Sequence, residues 1–157
     1  MNGRGGGSEP GAQAPARLLT DGEWDVVLDE LIEDHDRIMA ALEELRFVTT
    51  RPCRDLSNLM WLRGLIAVDL AEHAAAQCPE PDTHCEACQL CSAPLEPVHA
   101  EFSLLCDQWA MHLEHWPEAR VNADWQAHGR AIRPLLDGLR LNIAREMTAL
   151  SLMAVER

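Results

Sequence analysis

Apolar residues return at helical spacing along four stretches of the chain, and no stretch alternates with period two over a useful length. The first series is Trp24, Leu28, Leu31, Ile38, Leu42, Leu45, opened by Asp21 as an N-cap with Glu23 in the first turn, and it predicts a helix over 21–49, before Pro52. The second, Leu59, Leu62, Ile66 with Leu65 and Leu70 beside it, predicts a helix over 54–78, because the residue preceding Pro79 is pushed out of the helical region. The third, Leu95, Phe102, Trp109, Leu113, gives 95–116 and stops at Pro117. The fourth, Trp125, Ile132, Leu135, Leu139 and on to Met153, gives 123–156, with Pro134 inside it expected to kink the helix or mark an irregular turn. The expected fold is all-α, an antiparallel up-down-up-down four-helix bundle over residues 21–157, with a long connection at 79–94. Residues 1–20 hold five of the nine Gly and little apolar periodicity, too little to offset ordering entropy, and are expected to form a flexible tail.

Several positions on these stripes carry the wrong chemistry for a core. The first keeps its spacing only if His35 is counted, the second places Asp69, His73 and Gln77 inward, the third His99 and Cys106, and the fourth His128, Asn142 and Glu146. An unpaired buried polar group costs about 1–3 kcal/mol and an unpaired charge more, so these groups need one another or a metal. At about 1.5 Å of rise per residue, His35 lies near mid-height. His73 near the end of the second helix, His99 in the first turns of the third and Glu146 late in the fourth lie in the lower half, so the four side chains can converge. His128 falls near the opposite end with His112 and His115, where capping, packing or solvent is the expected role.

The segment VLDELIEDHDRIMAALEELR around His35, with DLAEHAAAQ around His73, EPVHAEFSLL around His99 and LRLNIAREMTAL around Glu146, resembles the hemerythrin-like family of cation-binding four-helix bundles. The resemblance implies a non-haem iron centre, with His35, His73, His99 and Glu146 at ligand positions. Gln77 stands where that family supplies a bridging carboxylate, Ser103 where some members have a second histidine, and Asn142 where the fourth helix supplies one. Three imidazoles and one carboxylate suffice for a single Fe, Mn or Zn ion, but a di-iron centre would lack a bridge. Asp69, one turn before His73, is a substitute ligand or an orienting partner for that imidazole.

The connection carries Cys78, Cys85, Cys88 and Cys91, the last three as C-x2-C-x2-C, with His84 as an alternative ligand. Two-residue spacers let successive thiolates turn toward one centre, which both Zn and an iron–sulfur cluster require. In a reducing compartment these outrank redox-labile disulfides and inert thiols, and Zn and iron–sulfur stay level. Cys106 reads as a small core residue.

The composition, 47% hydrophobic and 25% charged, is that of an ordinary globular protein. The net charge of −13 argues against nucleic acid and anionic membranes as partners, and favours metal cations or a basic protein. No apolar run reaches the roughly 20 residues of a spanning helix and the first residues contain no apolar signal core, so a cytoplasmic setting is expected. No activated nucleophile or phosphate loop is evident. The leading expectation is a metal-binding protein that senses or handles a redox signal such as oxygen, nitric oxide or iron. The alternative is a metal-free or Zn-stapled bundle acting as a protein interaction module.

Overall fold

The computed structural model describes residues 21–77 and 94–155. These form five helices and, among the described residues, no strand: α1 (Asp21–Thr50), α2 (Leu56–Gln77), α3 (Glu96–His115), α4 (Glu118–Ala123) and α5 (Trp125–Val155). The four long helices match the four hydrophobic series to within two residues at each described end. The expected tail, the cysteine-bearing connection and the chain end at 156–157 lie outside the described residues.

The helix boundaries have local causes. Asp55 starts α2 by accepting the Asn58 N–H on Oδ1 at 3.0 Å, and Asp124 starts α5 in the same way with the Ala127 N–H at 3.0 Å. Pro97 sits in the first turn of α3, where its missing N–H costs nothing, and Glu96 beside it complements the positive end of the helix. The short α4 was not expected from the sequence. The Pro117 carbonyl accepts the N–H groups of Arg120 and Val121, and the turn so closed drives Val121 into the core, where it is fully buried. Pro134 does not break α5, which runs through it as one element. The carbonyl that loses its donor belongs to Arg130, an exposed residue whose carbonyl water can reach.

Helix α1 packs on α2 and α5, α3 packs on α2 and α5, and α4 fills the junction between α2 and α5. The buried apolar residues fall into two groups. The larger holds Ile38, Leu42, Leu45, Leu59, Ile66, Leu70, Phe102, Trp109, Ile132, Leu139 and Ile143 among others. The smaller is a plug of Leu31, Leu95 and Leu150 with Val27, Leu28, Ala149 and Met153 against it. Between plug and main core, on every long helix, lies the stretch that carries the inward polar residues.

Two glycines test how closely the helices approach. Gly64, in the middle of α2, is exposed and a Cβ there would meet nothing within 4 Å, so Gly64→Ala should stabilise the protein by about 1 kcal/mol through helix propensity. A Cβ on Gly129 would lie 3.3 Å from the Thr49 carbonyl oxygen, so Gly129→Ala should show no such gain, because the last turn of α1 must move to admit it. Urea midpoints of the two variants check this; equal gains at both sites would mean that α1 and α5 are not in close contact there.

Candidate metal centre

Each polar residue of the middle layer occupies a stripe position whose neighbours on the same helix face are buried and apolar. His35 lies between Leu31 and Ile38, His73 follows Leu70, and Glu146 lies between Ile143 and Leu150. Their helices therefore deliver them inward: Glu146 is 1% exposed, His73 0% and His35 2%. Gln77, one turn beyond His73 on α2, is buried with them, while His99 on α3 keeps part of its ring exposed.

All of these side chains meet on one carboxylate. His35 Nε2 and His73 Nε2 each lie 3.0 Å from Glu146 Oε2, and His99 Nε2 lies 3.0 Å from Oε1. The Gln77 amide donates to both oxygens, at 3.0 and 3.1 Å. Burial would raise the Glu146 carboxyl, but the hydrogen bonds from His35, His73 and His99 and the charge of His73 outweigh it and hold the group well below the usual carboxylate range. The imidazole and amide donors thus favour Glu146 as the anion.

The network contains one conflict that neither tautomer of His73 resolves while Glu146 is ionised. The Gln77 amide nitrogen also lies 2.9 Å from His73 Nε2. If that ring nitrogen carries a proton it donates to Glu146 and meets the Gln77 N–H head-on; if it is bare it accepts from Gln77 and turns a lone pair on the carboxylate. Reversing the amide places its oxygen against both carboxylate oxygens instead. A cation accommodates the bare alternative, because the imidazole lone pair and the carboxylate then both face it. His35, His73 and Glu146 offer ligand atoms that all lie within 4.8 Å of one another. Neighbouring ligands at bonds of roughly 2.1 Å in an octahedral shell stand about 3.0 Å apart, as the imidazole nitrogens and Glu146 do here.

The outer partners of such a site are partly in place. His35 Nδ1 and His73 Nδ1 are buried without hydrogen-bond partners, and Asp34 Oδ2 stands 3.9 Å from the latter. A ring bound through Nε2 carries its proton on Nδ1, so Asp34 is positioned to receive that of His73 after a small shift. Phe102 sets its edge against the His73 ring at 5.0 Å and 79°, which fixes the plane of the imidazole. Asp69 is neither a ligand nor the His73 orienter: its Oδ1 accepts from Arg37 Nε at 2.9 Å, and Arg37 also binds Asp34. Asn142 is turned away to α3, donating to the Val98 carbonyl at 2.9 Å. A cavity of about 270 Å³ reaches the layer from the side between α2 and α3, lined by Ala74, Gln77, His99, Phe102, Ser103 and Cys106. Cys106 packs against the main core, half-buried at the cavity wall, and burial pushes its thiol up to about 11.

Of the residues singled out in the sequence, His35, His73, His99 and Glu146 come together, with His99 on the other carboxylate oxygen from the first two. Cys78, Cys85, Cys88 and Cys91 lie outside the described residues. Gln77 was placed inward by its spacing, but its role as donor to both Glu146 oxygens requires the fold. No protein-family model, curated protein or solved structure matches this chain.

Removing one member should cost more than removing two. In metal-free protein, His35→Leu and Glu146→Leu each strand buried partners and should each lower the unfolding free energy by about 2–3 kcal/mol. The double replacement should fall short of their sum by at least about 1 kcal/mol. Urea denaturation in the presence of a chelator measures the cycle, and additivity within experimental error would mean that the imidazole and the carboxylate do not act as one unit.

Proposed function

We propose that this protein is a cytoplasmic, single-ion metal-binding four-helix bundle, similar to the hemerythrin-like family, that senses or handles a redox signal. The observation that carries the reading is the convergence of side chains from the other three long helices on the buried Glu146 carboxylate of α5. The bundle is read as antiparallel from the order of contacts. From α1 to α5, Glu43 pairs with Arg140, Arg46 with Asp137, and His35 with Glu146, so one number rises as the other falls. Arg63 with Trp116 and His73 with Phe102 do the same between α2 and α3. No described helix is long and apolar enough to cross a membrane.

His35, His73 and Glu146 would hold the ion, with His99 at its more exposed side. One carboxylate and neutral imidazoles suit Fe, Mn or Zn and give no bridge for a pair of ions. Such an ion supplies Lewis acidity and, if it is iron, a one-electron couple. The chain's own part is to fix the imidazoles through Phe102 and the two apolar layers, and to admit small molecules through the side cavity between α2 and α3. Loading displaces protons shared between the imidazoles and Glu146, so binding weakens as pH falls. We propose an iron–sulfur cluster or Zn on Cys78, Cys85, Cys88 and Cys91 as a second centre, and a basic protein as the partner of the acidic surface.

One observation favours a second reading, a metal-free or Zn-stapled interaction module. Both Glu146 oxygens already have donors, so the layer can close on itself with the single conflict at His73.

Metal and sulfide analysis of protein prepared without air or added metal separates these readings. The expected result is one ion per chain at the Glu146 layer, lost in His35→Ala and bound at least 100-fold more weakly in Glu146→Gln, with the cysteine centre adding Zn or equal iron and sulfide. Gln77→Glu, which supplies a second carboxylate, should tighten the ion at least tenfold. Protein that holds no ion at this layer after iron, manganese and zinc titrations would leave the interaction module.

A further inference from the structure

A second set of polar residues is buried far from Glu146, about 27 Å along α5 at 1.5 Å per residue, where the end of α3 meets the start of α5. Arg63 on α2 is 2% exposed, His128 on α5 is 0% exposed and His112 on α3 is 9% exposed. The two imidazoles lie 5.2 Å apart, centroid to centroid, and Trp116 packs its ring against both. The guanidinium donates to the Trp116 carbonyl at 2.7 Å and, more weakly, to that of Leu113, which closes the C-terminal end of α3. Its Nε, His112 Nε2 and both nitrogens of His128 are buried with no partner.

The charged groups around this cluster leave it without an anion. On α3, Glu114 and His115 are exposed at the rim of a cavity of about 760 Å³ that His112 also lines. On α4, Glu118 is exposed, and Arg120 lies over the Trp116 ring at 4.6 Å and donates to the His115 carbonyl. On α5, Asp124 is spent on the Ala127 N–H and Arg130 is exposed. On α1, the near group is the Thr49 carbonyl at Gly129, and Arg46 is paired with Asp137. The ion pairs that histidine makes among the described residues all belong to the Glu146 layer.

We propose that Arg63, His112 and His128 form an acid-operated latch: a proton taken up by either imidazole sets a second positive charge against the buried guanidinium with no carboxylate to meet it, and the junction of α3, α4 and α5 opens. Burial first, then Arg63, and then the neighbouring imidazoles hold both histidines down at about 4 from an ordinary 6.5. The opened or unfolded chain takes up protons at the ordinary value, so the closed form is fully favoured above pH 6.5 and loses that advantage as pH falls toward 4. Opening would expose Trp109, Trp116 and Trp125, each now at most 6% exposed, and widen the adjoining cavity. The latch requires no metal at the other site and stands whether or not the proposed function holds.

Hydrogen-exchange protection factors, which remove the intrinsic effect of pH, give the test on the full chain. Between pH 7.5 and 5 the unaltered protein should lose protection over residues 109–132 by at least 30-fold, roughly the effect of one imidazole with this displacement. The variant carrying H112Q and H128Q should lose less than threefold. An equal loss in that variant, or no loss in the unaltered protein, would overturn the latch. Should the variant fail to fold, the imidazole resonances of the unaltered protein decide: both should titrate well below 6.5, with the loss of protection setting in below 6.5 and ahead of that titration. Titration near 6.5 with protection intact would refute it.

Discussion

A carboxylate that is 1% exposed is the constraint around which the lower half of this molecule is organised. Glu146 cannot be neutralised cheaply where three imidazoles and an amide point at it, and it cannot stay charged there without them. Its presence on α5 therefore fixes what α1, α2 and α3 must supply at the same height: His35, His73 with Gln77, and His99. Because each donor comes from a different part of the chain, the layer also fixes the register of the long helices, in a way that interchangeable Leu and Ile contacts do not.

The two apolar groups on either side give the layer its chemistry. The plug of Leu31, Leu95 and Leu150 closes one side and the main core the other, so Glu146, His35 and His73 are withdrawn from solvent, where electrostatic interactions are strong. The side cavity past His99 and Ser103 is the described approach from solvent. At the other end the balance is reversed. There a buried cation, Arg63, holds two neutral imidazoles beside it, and helix carbonyls serve as its acceptors. One end of the molecule is built around a fixed negative charge and the other around a fixed positive one.

Much of this was legible in the spacing of residues. The inward positions on the four stripes named His35, Asp69, His73, Gln77, His99, Cys106, His128, Asn142 and Glu146; seven of these are buried, and His99 and Cys106 are half-buried. Periodicity reports which way a residue faces but not what it touches. Asp69 was legible as inward, but its pairing with Arg37 joins two helices and required the fold. Spacing does not mark Arg63, which stands beside the Leu59, Leu62, Ile66 series, although it shares a face with Leu59, Ile66 and Leu70. Only its reach to the carbonyls ending α3 explains why a guanidinium is tolerated there. Helix α4 is six residues long, too short for a period to show, and rests on the Pro117 turn and the burial of Val121.

The most direct test of a single ion on Glu146 is anomalous X-ray scattering from crystals of the full chain grown with manganese, iron or zinc. One peak should appear in the middle layer, within about 2.0–2.2 Å of His35 Nε2, His73 Nε2 and a Glu146 oxygen. Crystals that bind these ions elsewhere while the imidazoles and Gln77 remain hydrogen-bonded to Glu146 would contradict it.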